Sequence, residues 1–185
     1  VNDRMETSAP GVFAAGDCAE STHSLTGQAF WAPLGSVANK QGRTVGINLA
    51  GGDDRQPGVL GSMIVKVFDY NCGRTGLSVE QAAEVGIEAV SVTVPTHDIA
   101  HYYPGSHDII IRLTAEKATG RLLGAYVIGQ GVVDKTLDTI ITAISLGATT
   151  EQLAKLDLAY APPYSMAISA PLVAANVMQR KLEGG

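Results

Sequence analysis

Residues 107–129, HDIIIRLTAEKATGRLLGAYVIG, set the tightest limit on what this chain can fold into. Two apolar, β-prone runs flank a polar turn at Lys117–Gly120, which is the signature of a hairpin. A hairpin commits this part of the chain to antiparallel pairing, since parallel neighbours need a long crossover. EAVSVTVPT (88–96) adds a strand with Val90, Val92 and Val94 at period two. SMIVKVFDYN (62–71) alternates as another. Helices are expected around them. Ser78 opens VEQAAEVG with Gln81 in the capping-box position and Gly86 as terminator. VVDKTLDTIITAISLG (132–147) puts Val133, Leu137, Ile140, Ile141 and Ile144 on one face. Thr149 caps a short helix, with Gln152 three residues on. Strands, a hairpin and one-faced helices together predict an α+β domain, an antiparallel sheet with helices on one side.

The opening residues have a different pattern. PGVFAAGDCAE (10–20) reads as a short apolar strand over 11–15 that ends at Gly16–Asp17. Such an ending suits a ligand at the carboxyl end of a sheet. Gly16 lets backbone approach closely, and the Asp17 carboxylate accepts hydrogen bonds from ligand hydroxyls or, equally, caps a turn. In APLGSVANKQGRTVGINLAGG (32–52), Pro33 near the start and Gly51–Gly52 past the end bracket a helix. Leu34, Val37, Ala38, Val45, Ile47 and Leu49 predict that it is buried on one side. The loop GGDDRQPGVLG (51–61) marks the boundary between two regions.

Composition narrows the function classes. With 185 residues, 45% hydrophobic and 17% charged, the chain can bury a core. A net charge of −5 argues against a nucleic-acid or anionic-membrane surface. No apolar run approaches the ~18 residues of a membrane span, and no signal-peptide core is present at the start. The two cysteines, Cys18 and Cys72, make neither a C-x-x-C pair nor a disulfide scaffold. They are expected to be reduced, structural and buried in a cytoplasmic protein, with Arg74 leaving a minor reactive reading for Cys72. His97 and His101 have i, i+4 spacing, but Pro95 and Pro104 flank them, so no metal site is expected from these or from His23 and His107.

The stretch TSAPGVFAAGDCAE resembles the second flavin-binding motif of FAD-dependent pyridine nucleotide–disulfide oxidoreductases. In that family the motif's aspartate contacts the ribityl or pyrophosphate part of FAD, which implies that role for Asp17, with Gly16 beside it. The segment 32–52 resembles the family helix whose N-terminus points at the flavin. A helix start carries free N–H groups and partial positive charge, matched to the negative charge of reduced flavin. Pro33, Leu34 and Gly35 are the implied cofactor-binding residues, with the amides of Leu34 and Gly35 as donors, since Pro33 has none.

VKVFDYNCGRTGLSVEQAAEVG (65–86) through the segment 122–165 is similar to the family's C-terminal dimerisation domain. AHYYPGS (100–106) and YAPPYS (160–165) resemble the coenzyme A–disulfide reductase and NADH oxidase branch. In the reductases one tyrosine from each segment reaches the partner's active site, which implies catalytic roles for Tyr102 and Tyr160. Tyr103 and Tyr164 stand next in line, and Pro162–Pro163 stiffens the second loop. After YAPPYS the family continues with Lys-Asp-Pro, whereas this chain has Ile168, Ser169 and, later, Pro171.

The domain reading is therefore 1–56 as the C-terminal piece of an α/β FAD-binding domain, 57–167 as a dimerisation domain forming a homodimer, and 168–185 as a tail. The nucleotide fingerprint, the NAD(P)H domain and the family's redox cysteine are missing, so the chain is expected to be a C-terminal part of a larger enzyme and inactive alone. The activity implied for the whole is hydride passage from NAD(P)H through FAD to a cysteine and then to a coenzyme A disulfide. The alternatives are an NADH oxidase, a persulfide or polysulfide reductase, or a bare dimerisation module.

Overall fold

The Gly61–Ser62 junction separates two compact units. The computed structural model describes residues 1–184. In the first unit, β1 (Ser21–Thr22) and β2 (Ala29–Phe30) pair antiparallel, and α1 (Gly35–Leu49) follows. The strand expected over 11–15 is absent: only Phe13 bridges, antiparallel, to Glu6. A strand exists only where a neighbour supplies a ladder, and within this unit residues 11–15 have none.

The buried face of α1 also departs from expectation. It consists of Val37, Gln41, Thr44 and Asn48, at helical spacing, while Ile47 and Leu49 are exposed. The polar members are satisfied by loops. Thr44 Oγ1 donates to Asp54 Oδ2 at 2.6 Å. Asn48 Nδ2 donates to the carbonyls of Arg4 and Asp54, and its Oδ1 accepts from the Asp54 amide. Buried polar groups are tolerable when every one is paired, so this helix docks by hydrogen bonds where apolar spacing predicted a greasy stripe.

The second unit holds β3 (Met63–Val67), β4 (Tyr70–Gly76), α2 (Val79–Glu84), β5 (Ala89–His97), β6 (Asp108–Glu116), β7 (Leu122–Gly129), α3 (Val133–Ser145), α4 (Thr150–Ala154) and α5 (Ala170–Glu183). The five strands lie in the order β3-β4-β7-β6-β5, every neighbouring pair antiparallel. The hairpin over 107–129 forms β6 and β7. The stretch 62–71 is not one strand. It turns back at Phe68–Asp69, with Phe68 at φ 52°, and β3 and β4 pair across that turn. Phe at a positive-φ position gives no turn signal, because glycine or asparagine is the residue expected there.

One sheet face is the core. Ile109, Ile111, Leu113, Ala125 and Val127 alternate inward and are almost fully buried. Each large aliphatic among them contributes roughly 1.5–3 kcal/mol of burial free energy. Helix α3 packs over β4 and β7, and α5 over β5 and β6. Val133, Leu137, Ile140 and Ile144 face the sheet as expected, while Ile141 is only half-buried. Gly73 makes room for α3, since a Cβ there falls 2.6 Å from Leu137 Cδ2. The outward row Val65, Cys72, Ile128, Ile110 and Pro95 carries no covering layer within this unit. Both expected capping boxes form, Ser78 with Gln81 and Thr149 with Gln152.

The region from 168, read as a tail, is largely helix. Ser169 is its N-cap, Pro171 lies in its first turn, and Ala170, Ala174, Ala175 and Met178 are buried. Small residues on that face bring the helix close to the sheet, and Lys181 Nζ donates to the Ser91 carbonyl of β5 at 3.0 Å. The unit boundary falls five residues beyond the position expected at 56, because Val59 still bridges to His23 and Gly61 packs on the Phe30 ring.

Candidate functional site

Two constellations hold the residues singled out by sequence, one in each unit. In the first unit Gly16 adopts φ +84°, a conformation that favours glycine. Its amide donates to Gln41 Oε1 at 2.8 Å, and Gln41 Nε2 donates to Ser21 Oγ at 2.9 Å. The Gly16 turn thus rests on α1, where a Cβ on Gly16 would meet Ala38 Cβ at 3.7 Å. Asp17 is exposed, and its carbonyl accepts from Trp31 Nε1 at 2.8 Å. Trp31 lies two residues before Pro33, so this contact ties the Asp17 turn to the start of the helix.

That start is bare. Leu34 is the N-cap, with extended backbone and no side-chain cap. Its own amide is taken: Leu34 N–H donates to the Ala32 carbonyl at 2.8 Å. Among the described residues, the amides of Gly35 and Ser36 have no protein acceptor. The donor pair at this helix end is therefore Gly35 with Ser36, one residue further on than the pair expected from sequence. A 15-residue helix with open first-turn amides carries partial positive charge at this end, and the positive-φ Gly16 turn, tied to the same segment through the Asp17 carbonyl, leaves the Asp17 carboxylate exposed. Cys18 follows Asp17, is exposed, and directs Sγ at the Ala15 carbonyl, 3.4 Å away. The expectation of two buried cysteines is corrected by this, and Cys72 is half-buried on β4.

In the second unit Tyr102 and Tyr160 come from distant loops and are brought together. Hydrogen bonding with the Tyr160 phenol first, and repulsion from its charge second, raise the Tyr102 pKa above its ordinary value of 10.0. Both rings are exposed, at 66% and 50%, so the pair faces outward. The two loops are joined by backbone, the Ala100 amide donating to the Pro162 carbonyl at 3.3 Å. Tyr103 and Tyr164 are also exposed. The Tyr164 amide closes a turn on the Ala161 carbonyl, and Lys135 Nζ on α3 reaches the Tyr164 carbonyl at 3.5 Å. Beside Tyr102 the His101 ring stands edge-on, centroids 5.5 Å apart, with His97 6.1 Å from His101.

Sequence reading missed Gln41, Trp31, Ser36 and Asp98. Ser36 and Gln41 lie inside the 32–52 helix segment, but nothing local sets them apart, and Trp31 and Asp98 sit in no motif. Asp98 is a buried acid one residue beyond a strand, and only that incongruity marks it.

Comparison with known proteins supplies the family. Residues 62–171 match the model for "Pyridine nucleotide-disulphide oxidoreductase, dimerisation domain". The chain is 36% identical over 178 residues to the NAD(P)H sulfur oxidoreductase (CoA-dependent) of Pyrococcus furiosus, covering 96% of this chain and 40% of that protein. The solved NAD-dependent persulfide reductase from A. fulgidus matches with a TM-score of 0.97 and 44% identity, over 100% of this chain and 34% of that one. Reduced CoADR-RHD from Bacillus anthracis matches with a TM-score of 0.94 and 34% identity, over 100% of this chain and 33% of that one. More distant relatives bear the names coenzyme A disulfide reductase, in Staphylococcus aureus at 33% identity, and NADH oxidase, in Methanocaldococcus jannaschii at 34%. The chain spans about two-fifths of the length of the curated relatives it matches. No described helix is long and apolar enough to cross a membrane. With its antiparallel sheet, its one-sided helices and a matching family model over most of its length, the chain belongs to the pyridine nucleotide–disulphide oxidoreductase family.

Proposed function

We propose that this chain is the FAD-domain end and the dimerisation domain of an NAD(P)H-dependent reductase whose substrate is a sulfur–sulfur bond carried by coenzyme A. For a disulfide the net change is CoA–S–S–CoA + NAD(P)H + H⁺ → 2 CoA–SH + NAD(P)⁺. The observation that carries this reading is the joining of the two loops by the Ala100–Pro162 backbone bond, with Tyr102 and Tyr160 presented outward on them. FAD, when bound, supplies the relay of an electron pair from the nicotinamide to sulfur.

The chain's own residues have definite tasks in this scheme. Gly16 and Asp17 hold the hydroxyl-bearing part of the cofactor, and the Gly35 and Ser36 amides stabilise negative charge at its ring end. Pro33 and Leu34 shape the entry to the helix. Cleavage of an S–S bond releases a thiolate, which needs a proton or a hydrogen-bond donor. A phenol is protonated at neutral pH and meets that need. Outward presentation suits service to a second subunit, so a homodimer through the dimerisation domain brings each tyrosine pair to its neighbour's sulfur. A reducing, cytoplasmic setting agrees with two free thiols, one of them exposed.

A second substrate is favoured by the A. fulgidus and Pyrococcus relatives, whose names specify persulfide or sulfur reduction. There the balance is CoA–S–SH + NAD(P)H + H⁺ → CoA–SH + H₂S + NAD(P)⁺, and the same phenols serve it.

The test is NAD(P)H oxidation by the intact enzyme containing this chain, with coenzyme A disulfide, coenzyme A persulfide or oxygen alone as acceptor. Tyr102→Phe and Tyr160→Phe are expected to lower kcat with the sulfur acceptors by roughly 10²-fold, the usual worth of a positioned proton donor, and to spare oxygen turnover. Turnover carried mainly by oxygen, with both variants indifferent, points instead to an NADH oxidase.

A further inference from the structure

We propose that the Asp98 carboxylate is a positioning residue for the tyrosine pair: it locks the loop bearing Tyr102 onto the first turn of α3, beside which the loop bearing Tyr160 also rests. Its side chain is 3% exposed, yet it stands at the end of β5, where the chain leaves the sheet. Oδ1 accepts from the Ile99 amide and from the His107 amide, both at 2.8 Å. These two amides lie at opposite ends of the excursion that carries Tyr102, so one oxygen closes the base of the loop. Oδ2 accepts from the Val132 amide at 3.3 Å, at the N-cap of α3, where a negative group complements the helix dipole.

Three further observations point to a fitted latch. A Cβ at Gly131 would overlap Asp98 Oδ2, so only glycine permits the approach. The His107 Nδ1 atom, buried and without a hydrogen-bond partner, lies 4.0 Å from that oxygen. Asp98, Val132, Leu158 and Ser165 line one small cleft, so the base of the second loop borders the same cleft as this carboxylate. The loop tip needs this support. Its internal bonds are few: Tyr103 N–H to the Ala100 carbonyl, Ser106 N–H to the Tyr103 carbonyl and a long Ser106 Oγ contact with the Ile99 carbonyl, with a backbone bond from the Asp98 amide to the His107 carbonyl at 3.1 Å across its base. The consequence for turnover rests on the reading of the tyrosines given above; the latch itself does not.

The experiment uses the full 185-residue chain with ¹³Cζ-labelled tyrosine, Tyr102 being assigned through Tyr102→Phe. In the parent chain Tyr102 is expected to titrate above the ordinary phenol range, and Tyr160→Phe is expected to lower it. In Asp98→Ala, Tyr102 is expected to titrate as an ordinary phenol, indifferent to Tyr160→Phe, with hydrogen exchange at Ile99, His107 and Val132 faster by about tenfold or more. Asp98→Asn keeps an acceptor oxygen for Ile99 and His107, and should retain the Tyr102–Tyr160 coupling. Gly131→Ala leaves the carboxylate but expels Oδ2, and should loosen the coupling even if Asp98→Ala does not fold. His97, His101 and Lys135 are unchanged throughout, so they cannot produce the difference. Full coupling in a folded Asp98→Ala or in Gly131→Ala overturns the latch. In the intact enzyme, loss of coupling with normal sulfur-acceptor turnover counts against the catalytic reading of the tyrosines and leaves the latch standing.

Discussion

Gly16 and Gln41 are joined by a 2.8 Å hydrogen bond from the glycine amide to the glutamine side-chain oxygen. The bond couples the Gly16 turn to the middle of α1, and Gln41 is fully buried. Gln41→Leu keeps the volume but leaves the Gly16 amide and Ser21 Oγ unpaired. A loss of about 1–3 kcal/mol is expected in urea denaturation of the first unit, with faster exchange at Gly16. Unchanged exchange at Gly16 would show that the turn is held by other means.

His23 gives the first unit a pH dependence. Burial lowers its pKa below the usual 6.5, since its ring is enclosed beside Phe30 with centroids 5.1 Å apart. The unfolded chain therefore takes up a proton more readily than the folded one. Stability is complete above about pH 6.5 and falls as pH drops below it, until the folded state is also protonated. Melting temperatures recorded from pH 8 to pH 5 should fall in the acid half, and His23→Gln should flatten that fall. An identical slope in the variant assigns the effect to other groups.

Gly124 is where β7 passes beneath Leu77. A Cβ at this position would strike the Leu77 backbone, which cannot swing aside as a side-chain end can. Gly124→Ala is expected to destabilise the second unit by about 3 kcal/mol or more. Gly86→Ala is the control: its φ is +76° but the space around it is open, so the cost is about 1 kcal/mol. Chemical denaturation midpoints of the two variants should differ clearly, and equal midpoints would remove steric contact as the cause.

The two thiols should react unequally. Cys18 is exposed, whereas Cys72 is half-buried on the sheet. Ellman's reagent on the native chain should titrate one thiol rapidly and the second slowly, and Cys18→Ser should abolish the fast phase. Retention of the fast phase in that variant would place the accessible thiol at Cys72.

Elements with a strong local code were legible in the sequence. The 107–129 hairpin, the Val90–Val94 alternation, the apolar face of α3 and both capping boxes depend on neighbours a few residues apart, and each formed as expected. Failures came where distant partners decide. Residues 11–15 have strand composition but no ladder in this chain. The face of α1 is chosen by Arg4, Ser21 and Asp54, which no helical periodicity can reveal. The turn at Phe68–Asp69 carried a phenylalanine at its positive-φ position, and α5 was hidden by small residues whose burial depends on the sheet beneath. At the candidate site, motif resemblance pointed to Tyr102, Tyr160 and Asp17 by number. It could not show that the Leu34 amide is already engaged, nor that a buried aspartate ties down the Tyr102 loop.

Strand β3 forms the outer margin of the sheet, and Met63, Ile64, Val65 and Val67 are each between 39% and 53% exposed. Its free backbone groups and greasy side chains make a template for another strand, with Lys66 as the one charge that resists stacking. Concentrated stocks of this chain should therefore gel or fibrillise through this short border, and a second lysine placed there should prolong shelf life.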